Sequence, residues 1–399
     1  MTGNDRGEPI RIGIVGLGMA GTVMIPSILA HSKTELAGAC DISPELRERF
    51  SRDFSCPVTA TADELLSRSD VDAVYIATPH QYHCENTEQA AKHGKHVVVE
   101  KPMALTVEDC DRMIRAADAA GIVLVVGHTH GFDAPTQLMR SIVESGRLGP
   151  LRMILSFNYT DFLYRFRRPE ELDTSLGGGI IYNQIPHQVD LIRTVAGGAK
   201  VTGISAATGR FDRRRATEGS LMALLELEGG ANATVVYSGY DHFDSDELHG
   251  WIGEGGQPKE ARHGKTRAQL EQVADQAQEA TLRSQFYSYG GPLWKAMGSA
   301  GGSAAVDHPH FGMTIVSCER GDIRPVPGGV MIYDDNGAEF VKQEAPRPGG
   351  GRSEVLDELY AAIQQGTRPL HDGEFGRETL RTCVGMLSAA KSGLPELAS

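Results

Sequence analysis

Cysteine is scarce in this sequence. Six occur among 399 residues, at positions 40, 56, 84, 110, 318 and 383, and none forms a C-x-x-C pair. That pattern excludes a disulfide framework and fits a reducing cytoplasm. Basic charge is also short. Lys and Arg number 39 against 52 Asp and Glu, a net charge of −13 at pH 7. Such a surface repels phosphate backbones and anionic lipid, so neither nucleic acid nor membrane is an expected partner. The segment Met1 to Pro9 is polar, carries both charge signs and lacks the pattern of a signal peptide. Long apolar runs are almost missing. One uncharged stretch, Ile12 to Ala30, has the length of a membrane span, but it holds four glycines and Pro26. No short repeat dominates, and 40% apolar residues disfavour a disordered or fibrous chain. Glycine, by contrast, is plentiful at 47 residues. The length points to two or three domains.

The first third alternates short apolar runs with helical segments. Ile10–Val15, Glu35–Cys40, Ala73–Ala77, His96–Val99 and Ile122–Val126 read as strands. Between them lie helical stretches, one opened by Thr106 with Asp109 three residues on and closed at Gly121. Strands that are apolar throughout, separated by helices, predict a parallel sheet covered on both faces. The rhythm then changes. Leu151–Tyr159, Ser220–Leu227, Ala231–Tyr240, Phe311–Glu319 and Val330–Tyr333 follow one another as strands. The fold class is therefore an α/β N-terminal Rossmann domain, a doubly wound parallel sheet, over residues 1–131. An α+β domain with a large, mostly antiparallel open sheet follows over 132–372 and serves substrate binding and oligomerisation. An insertion, 254–308, interrupts it with a polar helical stretch (Lys259–Gln285) and a glycine-rich tail. A C-terminal helix over 373–399 closes the structure.

Gly16-Leu17-Gly18-Met19-Ala20-Gly21 is a G-x-G-x-x-G turn between the first strand and the first helix. Its first glycine permits a tight turn, its second lets backbone approach a pyrophosphate, and its third lets helix and strand pack closely. Gly16, Gly18, Met19, Ala20 and Gly21 are thus cofactor-binding candidates, with the phosphates at the helix N-terminus. Asp41 follows Gly21 by 20 residues at the end of the second strand. A carboxylate there accepts ribose hydroxyls and repels a 2′-phosphate, which favours NAD over NADP. Arg47 or Arg49 nearby could instead assist a 2′-phosphate.

Two further stretches carry a resemblance. Ala77-Thr78-Pro79 is followed by His83, and Glu100-Lys101-Pro102 follows the strand His96–Val99. In the second half, Gly177-Gly178-Gly179 precedes Asn183, His187 and Asp190. This order resembles the glucose–fructose oxidoreductase / inositol dehydrogenase (Gfo/Idh/MocA) family across nearly the whole chain. The resemblance implies an NAD(P)-dependent dehydrogenase that oxidises a secondary alcohol by hydride transfer, usually of a sugar or cyclitol. It implies active-site roles for Lys101 and His187. It places Thr78, Pro79, His83 and Glu100 along the cofactor groove. The chain departs from the family at Asn183, where an Asp is usual, and at Ile185, where a glycine is usual. Gly127-His128-Thr129-His130 stands where the family often has aromatic-Asn-Arg.

The stretches YTDFLYRFRRPEELDT (Tyr159–Thr174), NQIPHQVD (Asn183–Asp190), YSGYDHFDSDE (Tyr237–Glu247) and HPHFG (His308–Gly312) resemble the phthalate 4,5-cis-dihydrodiol dehydrogenase subgroup. That narrower likeness implies a cis-dihydrodiol of an aromatic carboxylate, oxidised toward a catechol. Arg165, Arg167 and Arg168 are then candidates for the substrate carboxylate, because guanidinium forks bind carboxylates bidentately. Tyr164 and His130 join them as substrate-binding candidates. The bland alternative pairs the three arginines with Glu170, Glu171 and Asp173.

The expected chemistry uses His187 as base, since an ordinary imidazole pKa of about 6.5 suits proton exchange near neutrality. Lys101 would donate to the same oxygen, or the two roles could be exchanged. Asn183 would hold the substrate or orient His187. The H-x-H pairs His128/His130 and His308/His310 raise zinc ligation, but no third ligand has an evident spacing, so no metal is expected. Rival functions are a sugar or inositol dehydrogenase and a catalytically silent NAD-binding regulator. A large sheet with one face open predicts a homo-oligomer, dimer or tetramer.

Overall fold

The computed structural model of the chain describes residues 7–127, 129–296, 305–347, 352–393 and 396–397. They divide into two compact units. The first holds 7–127, 284–296, 347 and 352–377, and the second 129–283, 305–346, 378–393 and 396–397. The chain thus returns to the first unit twice.

The first unit alternates β1 (Ile10–Val15), α1 (Met19–Ala30), β2 (Thr34–Cys40), α2 (Pro44–Phe54), β3 (Val58–Thr59), α3 (Ala62–Leu66), β4 (Ala73–Ile76), α4 (His83–Lys92), β5 (His96–Val99), α5 (Val107–Ala120) and β6 (Leu124–Val126). The sheet order is β3-β2-β1-β4-β5-β6, and every pair is parallel. Strand β4 is buried at all four positions, as an apolar run covered by helices on both faces must be. Because β1 pairs with β2 on one side and β4 on the other, the order reverses at β1, where open α/β sheets bind ligands beyond their strand C-termini. The cap reading at α5 holds. The Thr106 hydroxyl accepts from the Asp109 N–H, and Gly121 closes the helix with φ 65°.

The second unit contains α6 (Ala134–Glu144), β7 (Leu151–Tyr159), α7 (Gly179–Asn183), α8 (Ile185–Val195), β8 (Val201–Gly209), β9 (Ser220–Leu227), β10 (Asn232–Ser238) and α9 (Lys265–Leu270). After α10 (Gln276–Tyr287) and α11 (Pro292–Ala296) come β11 (Met313–Cys318), β12 (Gly321–Val326), β13 (Gly329–Asp334) and β14 (Gly337–Lys342). The chain ends with α12 (Ser353–Gln365), α13 (Gly373–Ser392) and β15 (Glu396–Leu397). Nine strands form one sheet in the order β14-β13-β12-β11-β7-β10-β9-β8-β15. Only the β7–β10 pair is parallel. One face is the core, where Ile154, Ala233 and Val235 cluster with Ile185, Val189 and Ile192 of α8.

The polar stretch predicted as one helix over Lys259–Gln285 is two, α9 and α10. The carboxylate of Asp275 accepts from the Gln278 N–H and starts the second helix afresh. The glycine-rich tail of the insertion and His128 lie outside the described residues.

Candidate active site

Gly16 has φ 101°, and a side chain there would press on the Ala77 carbonyl. A Cβ on Gly21 would stand 2.0 Å from the Gly16 carbonyl oxygen, so helix and strand meet at this glycine. At Gly18 a Cβ would meet nothing within 4 Å. Helix α1 starts there with no side-chain cap and no acidic residue in its first turn, Met19 and Ala20 being its first residues. Its leading N–H groups are left for an anion. One Asp41 oxygen accepts from the Leu17 N–H at 2.7 Å, the other from the Ser43 N–H at 2.9 Å. The carboxylate is thereby aimed, with lone pairs to spare for ribose hydroxyls. Arg47 donates to the Asp41 and Ile42 carbonyls and Arg49 to the Tyr289 carbonyl, so both guanidinium groups have backbone duties. The cradle fits a dinucleotide without a 2′-phosphate.

Thr78 and Pro79 follow β4, and the Thr78 hydroxyl accepts from the Asn86 amide at 3.1 Å. His83 is fully buried. Its two ring nitrogens lie 3.0 Å from the Thr78 and Pro102 carbonyls, and burial pushes its pKa down. It braces two strand-end loops from behind rather than lining the groove. Glu100 also recedes. It is buried against Tyr75 and Arg352, and it accepts from the Lys101 N–H at 3.2 Å. Burial and this carboxylate push the Tyr75 phenol far above its usual range. Glu100 therefore holds the backbone of Lys101. The Lys101–Pro102 bond is cis, and Lys101 is half-buried.

In the second unit, the Asn183 amide donates to the Gly179 carbonyl at 2.8 Å, within the short helix α7. His187 sits in the first turn of α8. One turn on, buried Asp190 accepts from the Thr129 hydroxyl at 2.5 Å and the Gly131 N–H at 2.9 Å, bracketing His130. The His130 and His187 rings lie edge to face, 4.8 Å between centroids, and both lie against Phe311 at 4.8 and 4.9 Å. His130 Nδ1 is 2.5 Å from an oxygen of the buried Asp133 carboxylate. Asp133 and Phe311 escaped the sequence reading. Asp133 was legible only as the residue before a helix, and Phe311 only as an apolar residue in the HPHFG stretch.

The arginine loop needs correcting. Arg167 is buried, lies 3.9 Å from the Phe162 ring centroid, donates to the Phe162 carbonyl and pairs with Glu171. Although burial works against it, Arg167 and Arg283 hold the Glu171 carboxyl at about 2. Arg168 pairs with Glu170 and Glu171 at the surface. Tyr164 is buried with its hydroxyl on Asp212 at 2.9 Å. These three hold the loop together. Arg165 differs. Its half-buried guanidinium lies 2.7 Å from Asp161 and 3.6 Å from Glu254, whose other carboxylate oxygen is buried without a partner.

Residues 10–128 match the oxidoreductase family with an NAD-binding Rossmann fold, and residues 136–254 the GFO/IDH/MocA C-terminal domain. A relative from Comamonas testosteroni, 1-carboxy-3-chloro-3,4-dihydroxycyclohexa-1,5-diene dehydrogenase, is 43% identical over 97% of this chain and 96% of its own. The chain belongs to the GFO/IDH/MocA oxidoreductase family. It is an NAD-binding oxidoreductase. A solved Bordetella bronchiseptica RB50 protein, described as a dehydrogenase with no substrate named, is 45% identical with a TM-score of 0.92, over 98% of this chain and 100% of that one. An oxidoreductase from Agrobacterium radiobacter, solved with NAD+, L-tartaric acid and magnesium, shares the fold at 18% identity and a TM-score of 0.71, over 98% of each chain.

The second histidine pair of this oxidoreductase contacts backbone carbonyls. His308 Nε2 contacts the Glu344 carbonyl and His310 Nε2 the Ile252 carbonyl. No group of three or more His, Cys, Asp or Glu suited to a metal occurs among the described residues. His310 stacks on His249 at 3.8 Å, and burial pushes both imidazoles down to about 4. No described helix is long and apolar enough to cross a membrane.

Proposed function

We propose that this oxidoreductase oxidises a cis-dihydrodiol of an aromatic carboxylate, with NAD, to the matching catechol. The observation that carries this reading is the full-length match to the Comamonas dehydrogenase, whose name specifies a carboxylated dihydroxycyclohexadiene. Two imidazoles packed beside Phe311 support it, since they offer polar partners for hydroxyls next to an apolar ring. All three arginines of the loop are taken by the protein's own carboxylates, Arg165 by Asp161 and Glu254, so none is assigned to the substrate carboxylate.

His187 accepts the hydroxyl proton in this scheme. Lys101 stabilises the developing alkoxide by its charge, with its backbone held by Glu100. Asn183, already donating to Gly179, orients the helix start that carries His187. Bound NAD supplies the hydride acceptor. The balance is one carbinol C–H and one O–H lost, giving a ketone, NADH and a proton. The hydroxyketone then tautomerises to the aromatic catechol, which pulls the reaction forward.

The test is NADH formation with dihydrodiols of phthalate, of benzoate and of unsubstituted arenes, beside myo-inositol and aldoses, each with NAD and NADP. Turnover on carboxylated dihydrodiols with NAD is expected, and its loss in Lys101→Met with cofactor binding kept. Turnover on sugars alone would overturn the substrate assignment.

We also propose that the enzyme is a homo-oligomer joined through the open face of the nine-stranded sheet, and that it works in a reducing cytoplasm. Its six thiols are unpaired, and five are buried. On the open face, Met222, Val236 and Phe157 stand side by side in register, and so do Leu224, Thr234, Leu155 and Ile315. Met222 and Leu224 are 65% and 48% exposed. Two mostly apolar rows, one crossing three strands and one four, suit the same rows on a second copy. Light scattering is expected to give a multiple of the chain mass, reduced by Leu224→Glu. A monomeric native enzyme would dismiss this interface.

A further inference from the structure

We propose that His130, held by Asp133, is a second imidazole that touches substrate, and that it and His187 receive the two neighbouring hydroxyls of a vicinal diol. The inference deepens the proposed function and rests on it for the reacting alcohol. It names what makes the site select a diol over a single alcohol.

Asp133 occupies the residue before α6, where an aspartate ordinarily accepts an N–H of the first turn. Here it makes no capping bond, and its carboxylate turns to His130 Nδ1 at 2.5 Å. A buried carboxylate only accepts, so the proton of a neutral ring sits on Nδ1 and the lone pair on Nε2. That tautomer is what a hydroxyl donor requires. The loop is fixed from the other side as well. Asp190 binds Thr129 and Gly131, the two neighbours of His130, from the helix that carries His187 one turn earlier. One helix turn therefore sets both imidazoles, edge to face at 4.8 Å.

The residue four before His187 matters here. It is Asn183, whose amide is spent on the Gly179 carbonyl. A carboxylate-backed imidazole is present all the same, on the loop at His130. In the reaction, the hydroxyl on the carbon being oxidised would pass its proton to His187, and NAD, when bound, would supply the hydride acceptor. The second hydroxyl keeps its proton and donates it in a hydrogen bond to His130 Nε2. No bond to His130 forms or breaks, so its contribution is recognition of the second oxygen. A cis-dihydrodiol and a cyclitol both present such a pair.

The experiment compares kcat/KM for a vicinal diol and its monohydroxy analogue on whichever scaffold turns over, in native enzyme, His130→Gln, His130→Asn and Asp133→Asn. The native preference for the diol is expected to fall by about tenfold or more in all three, chiefly through KM. An unchanged preference overturns the inference. In the ligand-free native enzyme, ¹⁵N-histidine NMR is expected to show His130 protonated on Nδ1, with the tautomers mixing in Asp133→Asn. A ring protonated on Nε2 overturns the inference whatever the kinetics. Turnover of a cyclitol without any dihydrodiol would defeat the proposed substrate, while the diol preference measured on the cyclitol would still decide the role of His130.

Discussion

Three glycines stand within six residues after β1, and each answers to a different neighbour. Gly16 and Gly21 answer to the protein itself, through the Ala77 and Gly16 carbonyls, whereas Gly18 faces open space. A methyl group should therefore separate fold from ligand. Gly21→Ala forces backbone apart at the heart of the first unit, so its melting temperature is expected to drop by several degrees. Gly18→Ala meets nothing, so melting should stay near native while NAD affinity falls about tenfold or more, the loss being steric against phosphate. Thermal melts and NAD titration of both variants check this. Native NAD affinity in Gly18→Ala would show that no phosphate rests there. Asp41 works at the same scale. Its link to the Leu17 N–H makes the carboxylate part of the turn it follows by 20 residues, so ribose recognition and turn geometry share one side chain.

At the scale of elements, the first sheet was legible because burial on both faces leaves uninterrupted apolar runs, as at β4 and β5. Strands β8, β12 and β14 were not read. Strand β14 is exposed at nearly every position and β8 along most of its second half, so neither carries a clean apolar pattern. Lys101, His187 and the glycine turn stood out as candidates from motif order. The supporting residues were not, because their partners are distant in sequence: Asp190 lies 61 residues from Thr129. The insertion shows the same limit. Its Tyr289 N–H donates to the Leu17 carbonyl, its hydroxyl to Asp53, and its ring packs with Phe50, Phe54 and Trp294. Thus residues some 270 positions from the glycine turn steady it, and no local pattern announces that. The arginine loop left two readings open in the sequence for the opposite reason. Its cations were visible, but only the folded chain shows Glu171 and the Phe162 carbonyl already taking Arg167.

For the whole molecule, the buried charges set how stability depends on pH. His249 and His310 are held near 4 by burial, below the ordinary 6.5 of an exposed imidazole. The unfolded chain therefore binds protons between pH 6.5 and 4 that the folded chain refuses, and stability falls as pH drops through that window. Asp246 opposes them. Burial, despite Lys259, raises its carboxyl to about 6, so between 3.8 and 6 the folded chain binds the extra proton there. Burial also lowers His83 and His96 and raises Asp241, so four imidazoles against two carboxyls leave a net loss on acidification. Further acid adds Asp161, held at about 2 by Arg165 and Thr266 against its burial, and Glu171, also near 2. At about 1.4 kcal/mol per unit of displaced pKa, His310 alone accounts for roughly 3 kcal/mol. Melting temperature is accordingly expected to fall steadily from pH 6.5 to pH 4, and His310→Asn should flatten that slope. A slope identical in the variant would place the acid sensitivity elsewhere. His310 of the stacked pair precedes Phe311, whose ring packs with those of His130 and His187. Acidification should therefore loosen the substrate-binding residues, and kcat/KM is expected to fall together with the melting temperature between pH 6.5 and pH 4.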